Sequence, residues 1–275
     1  MSHLLAGVMG CPVHHSLSPR LHGYWLEQLG IEGSYLPLAV SPDRLGEAVR
    51  VLPALGFRGA NVTIPHKEAV IPFLDELGET AKRIGAVNTI VVRQNGSLFG
   101  DSTDGTGFMA ALRQEAPQWK AGAVPVVVLG AGGAARAVVD VLHRAGVPEF
   151  RLVNRTRDRA EALAHHLGVN ARVFDWGDEV ALEGAGLLIN TTSLGMVSRP
   201  PMELELGKLL PDSVVFDLVY NPLETGLLRE AAQHGFAALN GLGMLLHQAV
   251  PGFEAWFGIR PSVTSSLRQY VEVGL

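Results

Sequence analysis

Four consecutive apolar residues, Val126-Val127-Val128-Leu129, run directly into Gly130-Ala131-Gly132-Gly133-Ala134-Ala135, and this junction constrains the chain more than any other feature. An unbroken apolar strand is expected where a sheet is covered on both faces. The six residues after it fit G-x-G-x-x-[G/A], and a helix-like run, Ala134–Arg144, follows. The order matters physically. Gly130 allows the tight turn, Gly132 lets the backbone approach a pyrophosphate, and the helix N-terminus offers free N–H groups to the anion. With 32 glycines in 275 residues such patterns also arise by chance, so the flanking strand and helix carry the argument. The expectation is a dinucleotide site built from Gly130, Ala131, Gly132, Gly133 and Ala134. The plainer alternative is a simple strand-to-helix turn.

The next strand candidate, Phe150–Val153, ends in Asn154-Arg155-Thr156-Arg157. A site for NAD usually carries an acidic residue here to bind the ribose hydroxyls. This chain has guanidiniums and a hydroxyl instead, and arginine matches a phosphate through its planar fork of donors. The reading is NADP, with Asn154, Arg155, Thr156 and Arg157 around the 2′-phosphate. The competing reading makes Arg155, Arg157 and Arg159 a solvated helix start beside Asp158. Arginines there oppose the helix dipole unless an anion is present.

Short apolar runs alternate with amphipathic segments over most of the chain. Leu4–Met9, Ser34–Ala39, Arg58–Thr63, Leu187–Asn190 and Val214–Leu218 read as further strands, and 18–29 and 43–52 as helices. That alternation predicts an α/β fold with mostly parallel sheets. Asn88–Arg93 and Ser97–Gly100 flank Gln94-Asn95-Gly96, where Asn-Gly favours a tight hairpin turn and one antiparallel excursion. Ala116–Pro125 is the most linker-like stretch, so two α/β domains are expected with a boundary between residues 102 and 123. Hydrophobic residues make up 47% and charged ones 18%, which excludes disorder as the main state. A net charge of −5 without a long basic run argues against nucleic acid. The most apolar stretch, 123–142, is too interrupted to span a membrane. One cysteine, Cys11, and a start without a signal-peptide pattern fit a cytoplasmic protein.

Polar clusters fall where βα loops are expected. Ser16-Leu17-Ser18-Pro19 precedes a helix; Ser18 suits its N-cap and Pro19 its first turn, leaving Ser16 unexplained. Asn61-Val62-Thr63-Ile64-Pro65-His66-Lys67 follows a strand, at the carboxyl end where open α/β sheets bind ligands. Asn88 and Asp104 add an amide and a carboxylate. Hydroxyls, amides, one lysine and one aspartate suit a polyhydroxylated anionic small molecule.

With these motifs in order, together with Gly85-Ala86-Val87-Asn88-Thr89, Thr103-Asp104-Gly105, Asn190-Thr191-Thr192-Ser193-Leu194-Gly195-Met196, Asp217-Leu218-Val219-Tyr220-Asn221-Pro222 and Gly241-Leu242-Gly243-Met244-Leu245…Gln248, the chain closely resembles the shikimate dehydrogenase family. The resemblance runs from residue 16 to residue 248. It implies NADP-linked interconversion of 3-dehydroshikimate and shikimate, on the route to chorismate. It also implies a substrate domain of residues 1–104 plus 243–275 and a Rossmann-type NADP domain of 105–242, acting as monomer or homodimer. By motif, Ser16 and Ser18 hold the substrate carboxylate, and Asn61, Thr63, Asn88, Asp104 and Gln248 bind its hydroxyls. Lys67 stands at the reacting oxygen with Asp104 as its catalytic partner, and Tyr220 lies near the carboxylate. Thr191, Met196, Leu218 and Gly241 join the cofactor contacts.

Two departures are visible. Ser102 stands where the family more often has Asn, and Pro251 falls inside the expected C-terminal helix, predicting a kink or break beside Gln248. No His or Cys cluster has zinc-site spacing, His66 reads as structural, and Phe253, Trp256 and Phe257 as core. Two rival functions remain: a quinate/shikimate dehydrogenase using NAD, against which Ser18 and Arg155 argue, and a non-catalytic dinucleotide-binding regulator. The regulator would be expected to have lost Lys67 and Asp104.

Overall fold

Strands and helices alternate to build two separate sheets of six strands each. The computed structural model describes residues 3–122 and 124–275. It divides into one unit of residues up to Asp104 together with Leu245–Gly274, and a second of Gly105–Met244. Ala116–Pro125 does not separate them. Of this stretch Ala123 lies outside the described residues, while Ala116 and Trp119 pack into the core of the second unit.

The first unit contains β1 (Leu4–Gly10), α1 (Ser18–Gln28), β2 (Gly33–Ala39), α2 (Leu45–Val51) and β3 (Phe57–Val62). β4 (Glu76–Leu77), α3 (Glu79–Ile84), β5 (Thr89–Val92) and β6 (Leu98–Asp101) follow. The sheet order is β2-β1-β3-β5-β6-β4, and β5 alone opposes its neighbours. This reversal places the start of β5 at the edge where β3 and β6 end, with Thr89 opposite both Asn61 and Asp101. The β5–β6 hairpin is closed by Arg93 N donating to Ser97 O at 2.9 Å, with Gly96 at φ 82°. A left-handed glycine ending a three-residue loop lets the strands keep their twist.

One face of this sheet buries Leu45, Val49, Leu52, Ile90 and Leu98. Aromatic side chains of α1, of β2 and of the helix that returns to this unit cluster together. Trp256 Nε1 donates to Ile90 O at 2.9 Å. It passes so close to Gly59 that a Cβ there would lie 2.3 Å from it and 2.0 Å from Ile90 O. His22 is fully buried, stacked on Tyr35 with centroids 3.9 Å apart, and neither ring nitrogen has a hydrogen-bond partner.

The second unit begins within α4 (Asp104–Glu115), whose first residue closes the first unit. It comprises β7 (Val126–Leu129), α5 (Gly133–Arg144), β8 (Phe150–Val153), α6 (Arg157–Leu167) and β9 (Ala171–Phe174). β10 (Leu187–Asn190), β11 (Val214–Asp217), α7 (Gly226–Gln233) and β12 (Ala237–Leu239) complete its sheet. The strands are all parallel in the order β12-β11-β10-β7-β8-β9, the doubly wound arrangement of dinucleotide-binding domains. Successive residues of β7 serve opposite cores. Val126 and Val128 pack with α4, α5 and α6, while Val127 and Leu129 pack with α7. Two covered faces explain the uninterrupted apolar run.

α8 (Leu242–Phe257) and α9 (Ser265–Glu272) end the chain. The break expected at Pro251 is absent: α8 is helical through it. Proline removes one backbone donor, while the adjoining turns keep theirs and buried Ala249, Val250, Phe253 and Trp256 hold the segment in place.

Burial pulls the His22 imidazole down to about 3 from its usual 6.5. The folded state therefore keeps His22 neutral, while the unfolded chain takes up a proton below about pH 6.5. The stability held by the neutral ring is complete above that pH and is lost as pH falls toward 3. In His22→Phe, which keeps a flat apolar ring, the fall of unfolding free energy between pH 6 and 4 should be shallower by about 1.4 kcal/mol per pH unit, one proton's worth. Denaturant titrations across that range check it, and parallel curves for the two proteins would refute it.

Candidate active site

Four segments of the first unit converge on one edge of its sheet: those after β1, β3 and β6, and the one before the reversed β5. Lys67 lies in a turn beyond β3. Its Nζ donates to Asp104 Oδ2 at 2.5 Å, and the two side chains are only 16% and 6% exposed. Asp104 opens α4, where the helix dipole favours a negative charge. Asn88 Nδ2 donates to the other carboxylate oxygen at 2.8 Å and to Gln248 Oε1 at 3.1 Å. Lys67, Asn88, Asp104 and Gln248 thus form one hydrogen-bonded set.

Thr103 was not among the residues singled out in the sequence, yet it locks this set. Its N–H donates to Asn88 Oδ1 at 2.9 Å and its hydroxyl to Gln248 O at 2.8 Å. Its place beside Asp104 in Ser102-Thr103-Asp104 was the available signal. Ser102, the departure from the family pattern, is buried and donates its N–H to Asp101 Oδ1 at 2.9 Å. His66 accepts a structural place: its Nε2 lies 2.7 Å from Val40 O.

The two serines exchange the parts expected of them. Leu17, not Ser18, is the N-cap of α1, and Ser18 is its first helical residue. Ser16 Oγ accepts from Ser18 N at 3.3 Å, so the earlier serine meets the free backbone donor. This frees the Ser18 hydroxyl, which meets the Tyr35 hydroxyl. Tyr35 donates to Asn61 Oδ1 at 2.6 Å, and Asn61 Nδ2 donates to Asn88 O at 3.0 Å and Thr89 Oγ1 at 3.2 Å. Both Asn61 N–H groups are therefore spent inside the protein, leaving its oxygen as the group free to take a further donor. Thr63 lies against bare backbone; a Cβ at Gly10 would come within 2.5 Å of its methyl.

In the second unit the strand order reverses between β7 and β10, and the polar residues sit at their carboxyl ends. Gly130, at φ 106°, leaves no room for a Cβ, which would lie 2.6 Å from Thr191 Oγ1. That hydroxyl donates to Leu129 O at 2.7 Å. Ala131 is buried, Gly132 is the N-cap of α5, and Gly133 and Ala134 open the helix. No side chain caps α5, and a Cβ on Gly132 would meet only open space. Past β8, Asn154 Nδ2 donates to Thr156 O at 2.7 Å, while the Thr156 hydroxyl caps nothing. Arg155 is exposed and forms no ion pair among the described residues. Arg157 differs: its guanidinium is drawn to Glu161 at 2.9 Å and Asp175 at 3.5 Å. Open helix N–H groups, a bare glycine and a free guanidinium are the groups a phosphorylated dinucleotide needs, and the site fits one.

Met196 lies in the loop after β10; Leu218 and Tyr220 lie in the segment after β11, both partly buried. Gly241 N donates to Val219 O at 2.9 Å. Asp217, at the end of β11, is fully buried, and burial pushes its carboxyl up against the pull of bonds from Thr225, Val219 and Asn190.

Known proteins resemble the chain along both units. Residues 8–90 match the shikimate dehydrogenase substrate binding domain, 113–194 the shikimate / quinate 5-dehydrogenase family, and 241–265 the shikimate 5'-dehydrogenase C-terminal domain. A shikimate dehydrogenase (NADP(+)) from Paramagnetospirillum magneticum is 58% identical over 268 residues, 97% of each chain. A shikimate 5-dehydrogenase from Thermus thermophilus, solved in complex with NADP(H) and shikimate, is 40% identical with TM-score 0.84, covering 99% of this chain and 100% of its own. A quinate dehydrogenase from Corynebacterium glutamicum in complex with NAD is 32% identical with TM-score 0.85, over 98% of both chains. A full-length relative at 58% identity, with a matching fold in both units, is sufficient: the chain belongs to the shikimate dehydrogenase family.

Proposed function

We propose that the chain reversibly reduces 3-dehydroshikimate to shikimate with NADP, and that Lys67 and Asp104 carry the proton chemistry. The observation that carries this reading is the nearly buried Lys67–Asp104 contact at 2.5 Å, joined through Asn88 to Gln248. The first unit takes the substrate. Ser16 and Ser18 bind its carboxylate, Thr63, Asn88, Asp104 and Gln248 its hydroxyls, and Asn61 contributes through its oxygen. Tyr220 is assigned to the carboxylate.

In the second unit the α5 N-terminus with Gly130 to Ala134 holds the pyrophosphate, and Arg155 and Thr156, steadied by Asn154, hold the 2′-phosphate. Arg157 acts at one remove, through its pairs with Glu161 and Asp175. Thr191, Met196, Leu218 and Gly241 shape the nicotinamide side. Bound NADPH supplies the hydride.

Reduction of a ketone places negative charge on its oxygen. Lys67 stabilises that charge and delivers the proton; in the reverse direction its amine accepts the hydroxyl proton. Asp104 orients the ammonium and shares its charge. Removing water from this contact strengthens it, because charges act over a low dielectric. Among the described residues no helix is long and apolar enough to cross a membrane, and a single cysteine supports a cytoplasmic place.

General acid–base help is worth about 10²–10⁴-fold. Lys67→Ala should lower turnover by at least about a hundred-fold with a far smaller change in the Michaelis constant for shikimate. Steady-state kinetics decide; near-normal turnover would remove Lys67 from the mechanism. A lost charged contact to phosphate is worth about 1.5–3 kcal/mol, roughly ten- to a hundred-fold. Arg155→Ala should raise the Michaelis constant for NADP by that factor and leave NAD nearly unchanged. Equal losses with both cofactors would contradict the phosphate role.

A further inference from the structure

Five residues assigned above to the cofactor or the substrate carboxylate, Thr191, Met196, Leu218, Tyr220 and Gly241, sit on loops that carry little regular structure. Something else must hold these loops in shape. The two sheet strands they leave, β10 and β11, end in Asn190 and Asp217, which are paired in register and both fully buried.

Every side-chain polar atom of these two residues is engaged. Asn190 Nδ2 donates to Asp217 Oδ1 at 2.8 Å and to Leu194 O at 3.2 Å. Asn190 Oδ1 accepts from Thr192 N at 2.9 Å and from its hydroxyl at 2.7 Å. Thr192 Oγ1 in turn accepts from Leu194 N at 3.1 Å. The loop 191–194 is thereby tied at three points to one amide. Asp217 Oδ1 also accepts from Val219 N at 3.0 Å, while Oδ2 accepts from Thr225 Oγ1 at 2.7 Å. Thr225 caps α7, accepting from Leu228 N at 3.3 Å. A second contact closes the far side of the 218–220 loop. A Cβ on Gly241 would lie 2.0 Å from Leu218 O.

We propose that Asp217 and Asn190 are positioning residues that set the shape of both cofactor-facing loops, an inference that rests on the NADP assignment above. A buried carboxylate without a cation is expensive to keep. An apolar residue at this place would pack as well but could not receive the Val219 and Asn190 donors. The carboxylate is thus the acceptor that joins the two loops to each other and to the start of α7.

The test measures binding rather than turnover. Dissociation constants for NADP and, separately, for shikimate are titrated with each variant, alongside its melting temperature. Wild type should bind NADP; failure to do so overturns the cofactor reading itself, and this proposal with it. Asp217→Ala should bind NADP at least about tenfold more weakly, and shikimate more weakly by a smaller factor, because Tyr220 is the one assigned substrate contact on these loops. Asp217→Asn keeps an acceptor oxygen for Val219 N and Asn190 Nδ2, and its amide can donate to a reoriented Thr225 hydroxyl. It should restore NADP binding to within about threefold.

A lower melting temperature with unchanged NADP affinity in Asp217→Ala would overturn the proposal. So would equal weakening of both ligands, or an Asp217→Asn as impaired as Asp217→Ala. If Asp217→Ala does not fold, Thr192→Val decides. It is nearly isosteric, at a partly exposed site, and removes one of the three Asn190 ties to the 191–194 loop together with the acceptor for Leu194 N. Weaker NADP binding by about threefold or more supports the proposal, and unchanged binding overturns it.

Discussion

A lysine and an aspartate held 2.5 Å apart, with most of their surface removed from water, set the terms for the rest of the first unit. Two opposite charges in that setting attract strongly, but desolvation penalises each, so the pair is tolerable only if its remaining bonding capacity is filled. The fold meets that demand from several sides. Asn88 fills the second carboxylate oxygen, and the start of α4 adds a favourable dipole. Thr103 fixes Asn88 and the carbonyl of Gln248. The reversed strand β5 is part of the same solution. Run parallel, it would present Val92 rather than Asn88 at this edge; run antiparallel, it brings an amide to the carboxylate.

The second unit reaches its chemistry by leaving groups unsatisfied. Among the described residues the N-terminus of α5 has no capping side chain, Gly132 faces open space, and the Arg155 guanidinium reaches no carboxylate. The framework at the ends of β7, β10 and β11 is closed by contrast. Gly130 is pinned against Thr191, the Thr191 hydroxyl is spent on Leu129, and Asn190 and Asp217 are fully bonded. An anion site of this kind needs fixed donors more than additional ones, since donors that do not reorganise stabilise charge best.

Much of this was legible in the residues. Buried strands such as Phe150–Val153 and Leu187–Asn190 coincide with β8 and β10, because a strand covered on both faces leaves a continuous apolar signature. The edge strands β9 and β12 leave no such signature. They are short and half exposed, and their pattern is too brief to show a period. The capping assignment of Ser18 was displaced by one residue, since Ser16 reaches the backbone first, and local propensity does not distinguish two serines so close together. Of the kink or break expected at Pro251 the break is absent, because the cost of the proline is local and the packing of α8 outweighs it. Lys67 and Asp104 were legible as residue types at strand ends. Their contact was not, because 37 residues separate them and only the sheet brings them together.

Held this way, Lys67 and Asp104 act as one unit. A double-mutant cycle on kcat/KM for shikimate, with Lys67→Ala, Asp104→Ala and the double variant, measures that directly. Groups that share one step are strongly non-additive. The double variant should be about as impaired as Lys67→Ala alone. Losses that multiply, as for two independent sites, would contradict it.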